Sequence, residues 1–248
     1  MKENEMIFGI RAIIEAIKSD KQIDKIILKN DMQSELAKEL FNAIKGFSHI
    51  QVQRVPIERL NRYTHKNHQG AIAFVSQTTY QLVSDIVPTL YEEGKTPFFV
   101  VLDGVTDVRN FGAIARTCEC GGVDAIVIPV KGGASVNADA VKTSAGALHT
   151  LPVCKESNLV SAIKFLKQCG IRIVVASEKG NKNYTEANLY DPVAIVMGAE
   201  DKGVSPEILR LCDEMVSIPI KGNISSLNVS VAAGIMIYEG VRQRMSQV

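Results

Sequence analysis

Three apolar, strand-like runs in this chain each break off at glycine with a polar group just beyond. Residues 98–104 read FFVVLDG and lead into RNFGAIART at 109–117. Residues 196–205 read VMGAEDKGVS, with Glu200 just past Gly198. Residues 218–234 read IPIKGNISSLNVSVAAG, an apolar strand that passes through a serine-rich loop into an apolar helix. Strand ends of this kind build a ligand cleft at the carboxyl edge of a parallel α/β sheet.

The surrounding pattern predicts such a sheet. From Pro97 onward, strands at 98–103, 124–128, 171–176, 193–197 and 215–219 alternate with helices at 111–121, 137–146, 157–168, 205–211 and 227–244. That alternation implies an α/β fold with helices on both faces of the sheet. Ser205-Pro206 is a helix start, with a hydroxyl cap and then proline at the first helical position. Upstream, Ile10, Ile13, Ile14 and Ile17 repeat at helical spacing over 9–18. A strand at 23–28, a helix at 33–45, a strand at 50–55, a short helix at 56–63 and a strand at 71–75 complete a smaller α/β unit. Residues 76–96 are more polar and contain Pro88 and Gly94, with a short helix at 82–91. The expected layout is a domain at 1–77, a linker at 78–96 and a domain at 97–248.

Composition narrows the class. The chain has 248 residues, 46% of them hydrophobic and 22% charged, as in an ordinary soluble protein. A net charge of +1 excludes a global polycation, but residues 1–80 hold 12 Lys/Arg against 9 Asp/Glu and the remainder is net negative. The five cysteines (118, 120, 154, 169, 212) are scattered, and Cys118 and Cys120 fall on different faces of one helix. This suggests reduced thiols in a cytoplasmic protein. The N-terminus lacks an uninterrupted apolar core for a signal peptide, and the longest apolar run, Phe98 to Leu102, is far too short to span a bilayer. The glycine fingerprints of dinucleotide folds, P-loops and serine hydrolases are absent. The glycines cluster instead at the late strand ends, around Gly198, Gly203 and Gly222.

In order and spacing, RNFGAIART, VMGAEDKGVS and IPIKGNISSLNVSVAAG resemble the three motifs of the SpoU/TrmH family of RNA ribose 2′-O-methyltransferases, in the SPOUT superfamily. The likeness covers 97–248. The N-terminal stretch, with IFGIRAIIEAI and HQGAIAFV, is similar to the substrate-binding domain of many members and to small RNA-binding ribosomal-protein domains. The pairing looks most like members that methylate a guanosine of 23S ribosomal RNA. The resemblance implies a parallel-sheet SPOUT domain with a C-terminal trefoil knot, S-adenosylmethionine as cofactor, no metal, and a homodimer whose active sites are completed by the partner chain. Transfer-RNA enzymes share these motifs. A non-catalytic RNA-binding or ribosome-assembly factor on the same scaffold is the alternative from another class.

Carried over residue by residue, the resemblance makes Arg116 the catalytic arginine. It places Asn110, Glu200, Ser226 and Asn228 in the catalytic site. Met197, Gly198, Glu200, Ile218, Ile220, Leu227 and Asn228 match positions that hold the cofactor. Residue type alone permits plainer roles. Arg116 is equally a surface arginine paired with Glu119 or Asp124, Asn110 an N-cap, and Glu200 a turn acid. Ile218 and Leu227 suit core packing, Ser226 or Asn228 suits a cap for the last helix, and Ser230 suits a small packing role. Arginine stays charged in proteins, so Arg116 would act by holding phosphate and easing hydroxyl deprotonation rather than as a simple base.

Two further stretches suit RNA. In 53–70, Arg54, Arg59, Arg62, His65, Lys66 and His68 surround Tyr63, a mixture of cations and an aromatic that can grip phosphate and stack on bases. The two histidines lack companions for a zinc site. The glycine-rich loop and helix at 131–147 offer Asn137 and Lys142, with Ser144, as RNA contacts; an ordinary polar loop with an N-cap is the plainer reading.

Overall fold

The computed structural model describes residues 6–246, which divide into two compact units. The first contains residues up to Thr79 together with 135–138. Its elements are β1 (Met6–Phe8), α1 (Ile10–Lys18), β2 (Ile23–Lys29), α2 (Glu35–Ile44), β3 (Gln51–Val55), α3 (Ile57–Asn61) and β4 (Ala71–Val75). The sheet order is β1-β4-β2-β3, parallel only between β2 and β3. Successive strand residues face opposite sides. Ile26 and Leu28 therefore join the core with Ile13, Ile14, Ile17 and Leu40 of α1 and α2, while Ile27 packs with Val55, Leu60 and Ile72 on the α3 side. Ser34 starts α2 by accepting the Ala37 N–H at 3.2 Å.

The second unit runs from Tyr80, without 135–138. It comprises β5 (Tyr80–Gln81), α4 (Val83–Glu92), β6 (Phe98–Asp103), α5 (Val108–Cys120), β7 (Ala125–Pro129), α6 (Ala138–Thr143), β8 (Val153–Glu156), α7 (Leu159–Gln168), β9 (Arg172–Ala176), β10 (Lys182–Asn183), β11 (Val193–Gly198), α8 (Pro206–Leu209), β12 (Glu214–Ser217) and α9 (Val229–Met245). Helix α6 begins at Ala138, the last residue grouped with the first unit. The strand order is β10-β12-β9-β11-β6-β7-β8-β5, and every pairing is parallel. The central strands are buried on both faces, which explains their unbroken Val/Ile runs. On one face α4, α7 and α8 cover Phe99, Val101, Val175 and Val196. On the other, α5 and α9 pack together and onto the sheet. Close approach is built in at Gly240 of α9, where an added Cβ would lie 2.8 Å from the buried Phe98 ring.

The stretch expected as a linker at 78–96 is instead folded into the second unit from Tyr80 onward: β5 pairs with β8, and α4 buries Val83, Ile86, Val87 and Leu90. Polar flanks and Pro88 masked that apolar face in the sequence. Strand β8 was also missed, because VCKE carries two charges in four residues. Lys155 is buried there, over the Tyr80 ring at 4.4 Å. The helix expected at 137–146 ends at Thr143, since Ala145 and Gly146 turn to positive φ. Helix α5 starts earlier than expected, at Val108, capped by Asp107.

Because the strands are parallel, β6, β9, β11 and β12 all end at one edge of the sheet. The loop after β11 is held there. Asp103 at the end of β6 accepts the Ser205 N–H at 2.7 Å, and Ala199 bridges Gly203. That loop folds flat against Gly198, where any Cβ would overlap the Gly203 backbone.

Two outcomes follow from this packing. Gly240→Ala forces a methyl against the buried Phe98 ring, and should cost about 1–3 kcal/mol in urea unfolding. Glu239 of α9 accepts from Arg242 Nε at 2.8 Å and Nη2 at 2.7 Å and from Gln243 Nε2 at 2.8 Å. Its hydrogen bonds from Arg242 hold the carboxyl below its ordinary value despite burial. A depressed folded pKa adds stability that is complete above the unfolded value of 4.5 and is lost as pH falls through the folded one. Glu239→Gln should therefore lower the urea midpoint at pH 7, with the gap to wild type closing below pH 4.5. A gap unchanged at acid pH would refute this.

Candidate functional site

At the carboxyl edge, the loops after β9, β11 and β12 enclose a cavity of ≈ 370 Å³. Met197, Gly198, Glu200, Ile218, Ile220, Ser226 and Leu227 all line it. Parallel strand direction brings these residues together from segments up to 30 positions apart. Ile220 and Leu227 remain 40% and 38% exposed, and Ile218 is half-buried, so simple core packing does not describe them. Residues 218–227 make no hydrogen bonds among the described residues. Their backbone donors and acceptors therefore stay available beside the apolar side chains. The loop after β9 adds Ser177, Glu178 and Lys179 to the wall. Sequence reading missed them, although β9 also ends in a polar, glycine-terminated run, SEKG.

One carboxylate oxygen organises the rim. Glu200 Oε1 accepts from Asn228 Nδ2 at 2.6 Å, from Asn110 Nδ2 at 3.2 Å and from the Val229 N–H at 3.2 Å. Asn228 Nδ2 also donates to Asn110 Oδ1 at 3.0 Å. The Asn228 Oδ1 caps α9 by accepting the Ser230 N–H at 3.0 Å and its hydroxyl at 2.6 Å. Asn228 is thus both a helix cap and a member of the cluster around Glu200, and Ser230 is a capping partner rather than only a packing residue. Asn110 is not the cap of α5: Asp107 accepts its N–H at 2.8 Å, leaving the Asn110 amide free to meet Glu200.

Arg116 lies elsewhere in the chain. It is exposed on α5 and lines a second recess of ≈ 310 Å³ with Glu119, Cys120 and the 144–147 segment. It pairs with neither Glu119 nor Asp124; the Asp124 carboxylate instead accepts the Phe98 N–H at 2.8 Å. Burial pushes the Asp124 carboxyl above its ordinary value. Among the described residues, no group of three or more His, Cys, Asp or Glu side chains is placed to hold a metal ion. No described helix is long and apolar enough to cross a membrane. Burial raises the thiols of Cys118 and Cys154 above their ordinary value.

The cationic stretch of the first unit is only partly surface. Arg54, Arg59, Arg62 and Lys66 are exposed. Arg54 donates to Asn30 O at 2.9 Å and lies over the Phe41 ring at 5.0 Å, and Lys66 lies over the Phe8 ring at 5.3 Å. Tyr63 is 41% exposed, edge-on to Phe74. His68, expected in this cluster, is buried: its Nδ1 accepts the Gly70 N–H at 3.0 Å, so Nε2 donates to Asn61 Oδ1 at 2.9 Å. Asn137 falls in the segment that groups with the first unit, and Lys142 is exposed on α6. Ser144 is fully buried, its hydroxyl donating to Val141 O at 2.9 Å, so its proton is spent within the protein.

Known proteins share both units. Residues 97–238 match the SpoU rRNA Methylase family, and residues 6–81 match a family described as RNA 2'-O ribose methyltransferase substrate binding. The 23S rRNA (guanosine-2'-O-)-methyltransferase RlmB of Photorhabdus laumondii is 36% identical, across 98% of this chain and 100% of its own. RlmB of Shewanella oneidensis is also 36% identical, across 99% and 100%. In fold, the SpoU methyltransferase AviRb of Streptomyces viridochromogenes, solved with AdoMet, gives a TM-score of 0.62 at 23% identity, covering 97% of this chain and 90% of that one.

Glu200→Ala removes the shared acceptor of the rim. Hydrogen exchange at the Val229 amide should accelerate roughly tenfold. An unchanged rate would show that the carboxylate does not hold the start of α9.

Proposed function

Since the chain belongs to the SpoU rRNA methylase family, we infer that it transfers a methyl group from S-adenosylmethionine to a ribose 2′-hydroxyl of RNA, with a guanosine of 23S ribosomal RNA as target. The single observation that carries this reading is the convergence of Gly198, Ile218, Ile220 and Leu227 on one cavity whose rim is the Asn110–Glu200–Asn228 cluster. The cavity suits the cofactor. Apolar side chains offer a slot for an adenine ring, and the unspent backbone groups of 218–227 offer partners for its edge.

The bound cofactor supplies an activated methyl on a sulfonium. The protein's part is placement of the acceptor hydroxyl in line with that methyl, and disposal of its proton. Arg116 would hold the phosphate of the acceptor nucleotide and stabilise developing negative charge on the ribose oxygen. Asn110, Glu200, Ser226 and Asn228 would position the cofactor side of the reaction.

Arg116 and the cavity lie in separate recesses of one chain, which favours a homodimer in which Arg116 serves the partner's cofactor. Helix α9 exposes Val231, Tyr238 and Met245, seven residues apart on one face, a stripe suited to a second copy. The same reading includes a trefoil knot. It is consistent with β9 lying between β11 and β12, so that the chain must pass β9 to reach β12 before α9 returns onto α5. Residues 1–77 would bind RNA through Arg54, Arg59, Arg62 and Lys66, and the 131–147 stretch would add Asn137 and Lys142. Action on ribosomal RNA fits a cytoplasmic location.

Labelled methyl from S-adenosylmethionine should enter 23S ribosomal RNA. Arg116→Ala should slow incorporation at least about a hundredfold while leaving calorimetric cofactor affinity intact. Leu227→Glu should abolish cofactor binding. Mixed dimers of these two variants should regain activity, because one site then combines an intact arginine with an intact cavity. Inactive mixed dimers would exclude sharing between subunits.

A further inference from the structure

The ≈ 310 Å³ recess on α5 holds two opposite charges that do not pair. Arg116 and Glu119 both line it, both are exposed, and neither side chain has a hydrogen-bond or ion-pair partner among the described residues. Opposite charges three apart on a helix commonly pair. The remaining wall offers no rival charge. Ser144 and Thr150 spend their hydroxyls on backbone carbonyls of Val141 and Ala147, and Ala145, Gly146 and Ala147 bring no polar side chain. Glu119 is the one acidic group lining this recess among the described residues.

A nucleotide whose ribose and phosphate sit at Arg116 would have its base near the next turn of α5. Side chains at i and i+3 stand about 5–6 Å apart at Cβ. A carboxylate accepts through two oxygens and donates nothing. Among the four RNA bases, guanine presents two adjacent donors, N1–H and the N2 amine, on its Watson–Crick edge, the edge through which splayed bases are read. Adenine and cytosine place a ring acceptor there, and uracil flanks its N–H with carbonyls.

We propose that Glu119 is the specificity carboxylate of the acceptor site, taking the N1–H and N2 amine of the target guanine while Arg116 holds its sugar and phosphate. This rests on Arg116 serving the acceptor nucleotide, as argued above.

The test uses the full-length protein and a synthetic hairpin of 23S ribosomal RNA carrying the guanosine mapped by ribose-methylation sequencing, made with guanosine or inosine at that position. Inosine keeps N1–H and lacks the N2 amine. Wild type should methylate the guanosine hairpin with kcat/KM roughly tenfold above the inosine one. Glu119→Ala should methylate both hairpins alike, at or below the wild-type inosine rate, and Glu119→Gln, with a single acceptor oxygen, should fall between wild type and Glu119→Ala. Cofactor affinity by calorimetry should match wild type in both variants. A Glu119→Ala protein that keeps the wild-type preference, or that loses cofactor affinity, overturns the assignment while leaving the methyltransferase reading intact. A wild type that methylates neither hairpin overturns that reading and this assignment with it.

Discussion

A single carboxylate oxygen ties the carboxyl edge of the larger sheet together. Glu200 Oε1 takes hydrogen bonds from Asn110, Asn228 and the Val229 backbone, so the segments after β6, β11 and β12 share one acceptor. Val229 is the first residue of α9, and its N–H has no acceptor within the helix. Negative charge at a helix N-terminus is also favoured by the peptide dipoles. Glu200 and the Asn228 cap therefore satisfy the start of α9 together. An anchor for the last helix and a rim for the cavity are the same few atoms.

Rigidity around that rim is uneven. The loop after β11 is held by Asp103 at Ser205, by the Ala199–Gly203 bridge and by the close approach at Gly198. The opposite wall, 218–227, has no hydrogen bonds among the described residues and keeps apolar side chains exposed. One wall is thus built in advance, and the other has its polar and apolar groups still to be satisfied. That division suits a site whose second wall completes its contacts with ligand, since the groups that recognise a ligand cannot also be spent inside the protein.

Much of this was legible in the sequence where a pattern is local. Apolar runs that stop at glycine, such as VVLDG and IVMG, marked parallel strands and the edge where they end. Ile10, Ile13, Ile14 and Ile17 marked the buried face of α1. The reading failed where local composition and tertiary role diverge. Val83, Ile86, Val87 and Leu90 form a buried face, yet their polar neighbours and Pro88 suggested a linker. Lys155 and Glu156 hid a buried strand, because their charges are accommodated by the Tyr80 ring and by the Val83 N–H. His68 and Ser144 had the chemistry of ligand contacts but are spent on internal hydrogen bonds.

By itself, the sequence determined the α/β class, the two-part layout and the residues gathered at the strand ends, because glycine, hydrophobic period and strand direction act over a few residues. Only the tertiary structure decided which polar groups are already satisfied and which remain available. It placed Asn110, Glu200 and Asn228 on one acceptor, and it put Arg116 in a recess apart from the cavity. Those facts depend on distances between segments separated by about a hundred residues, and no local pattern encodes such distances.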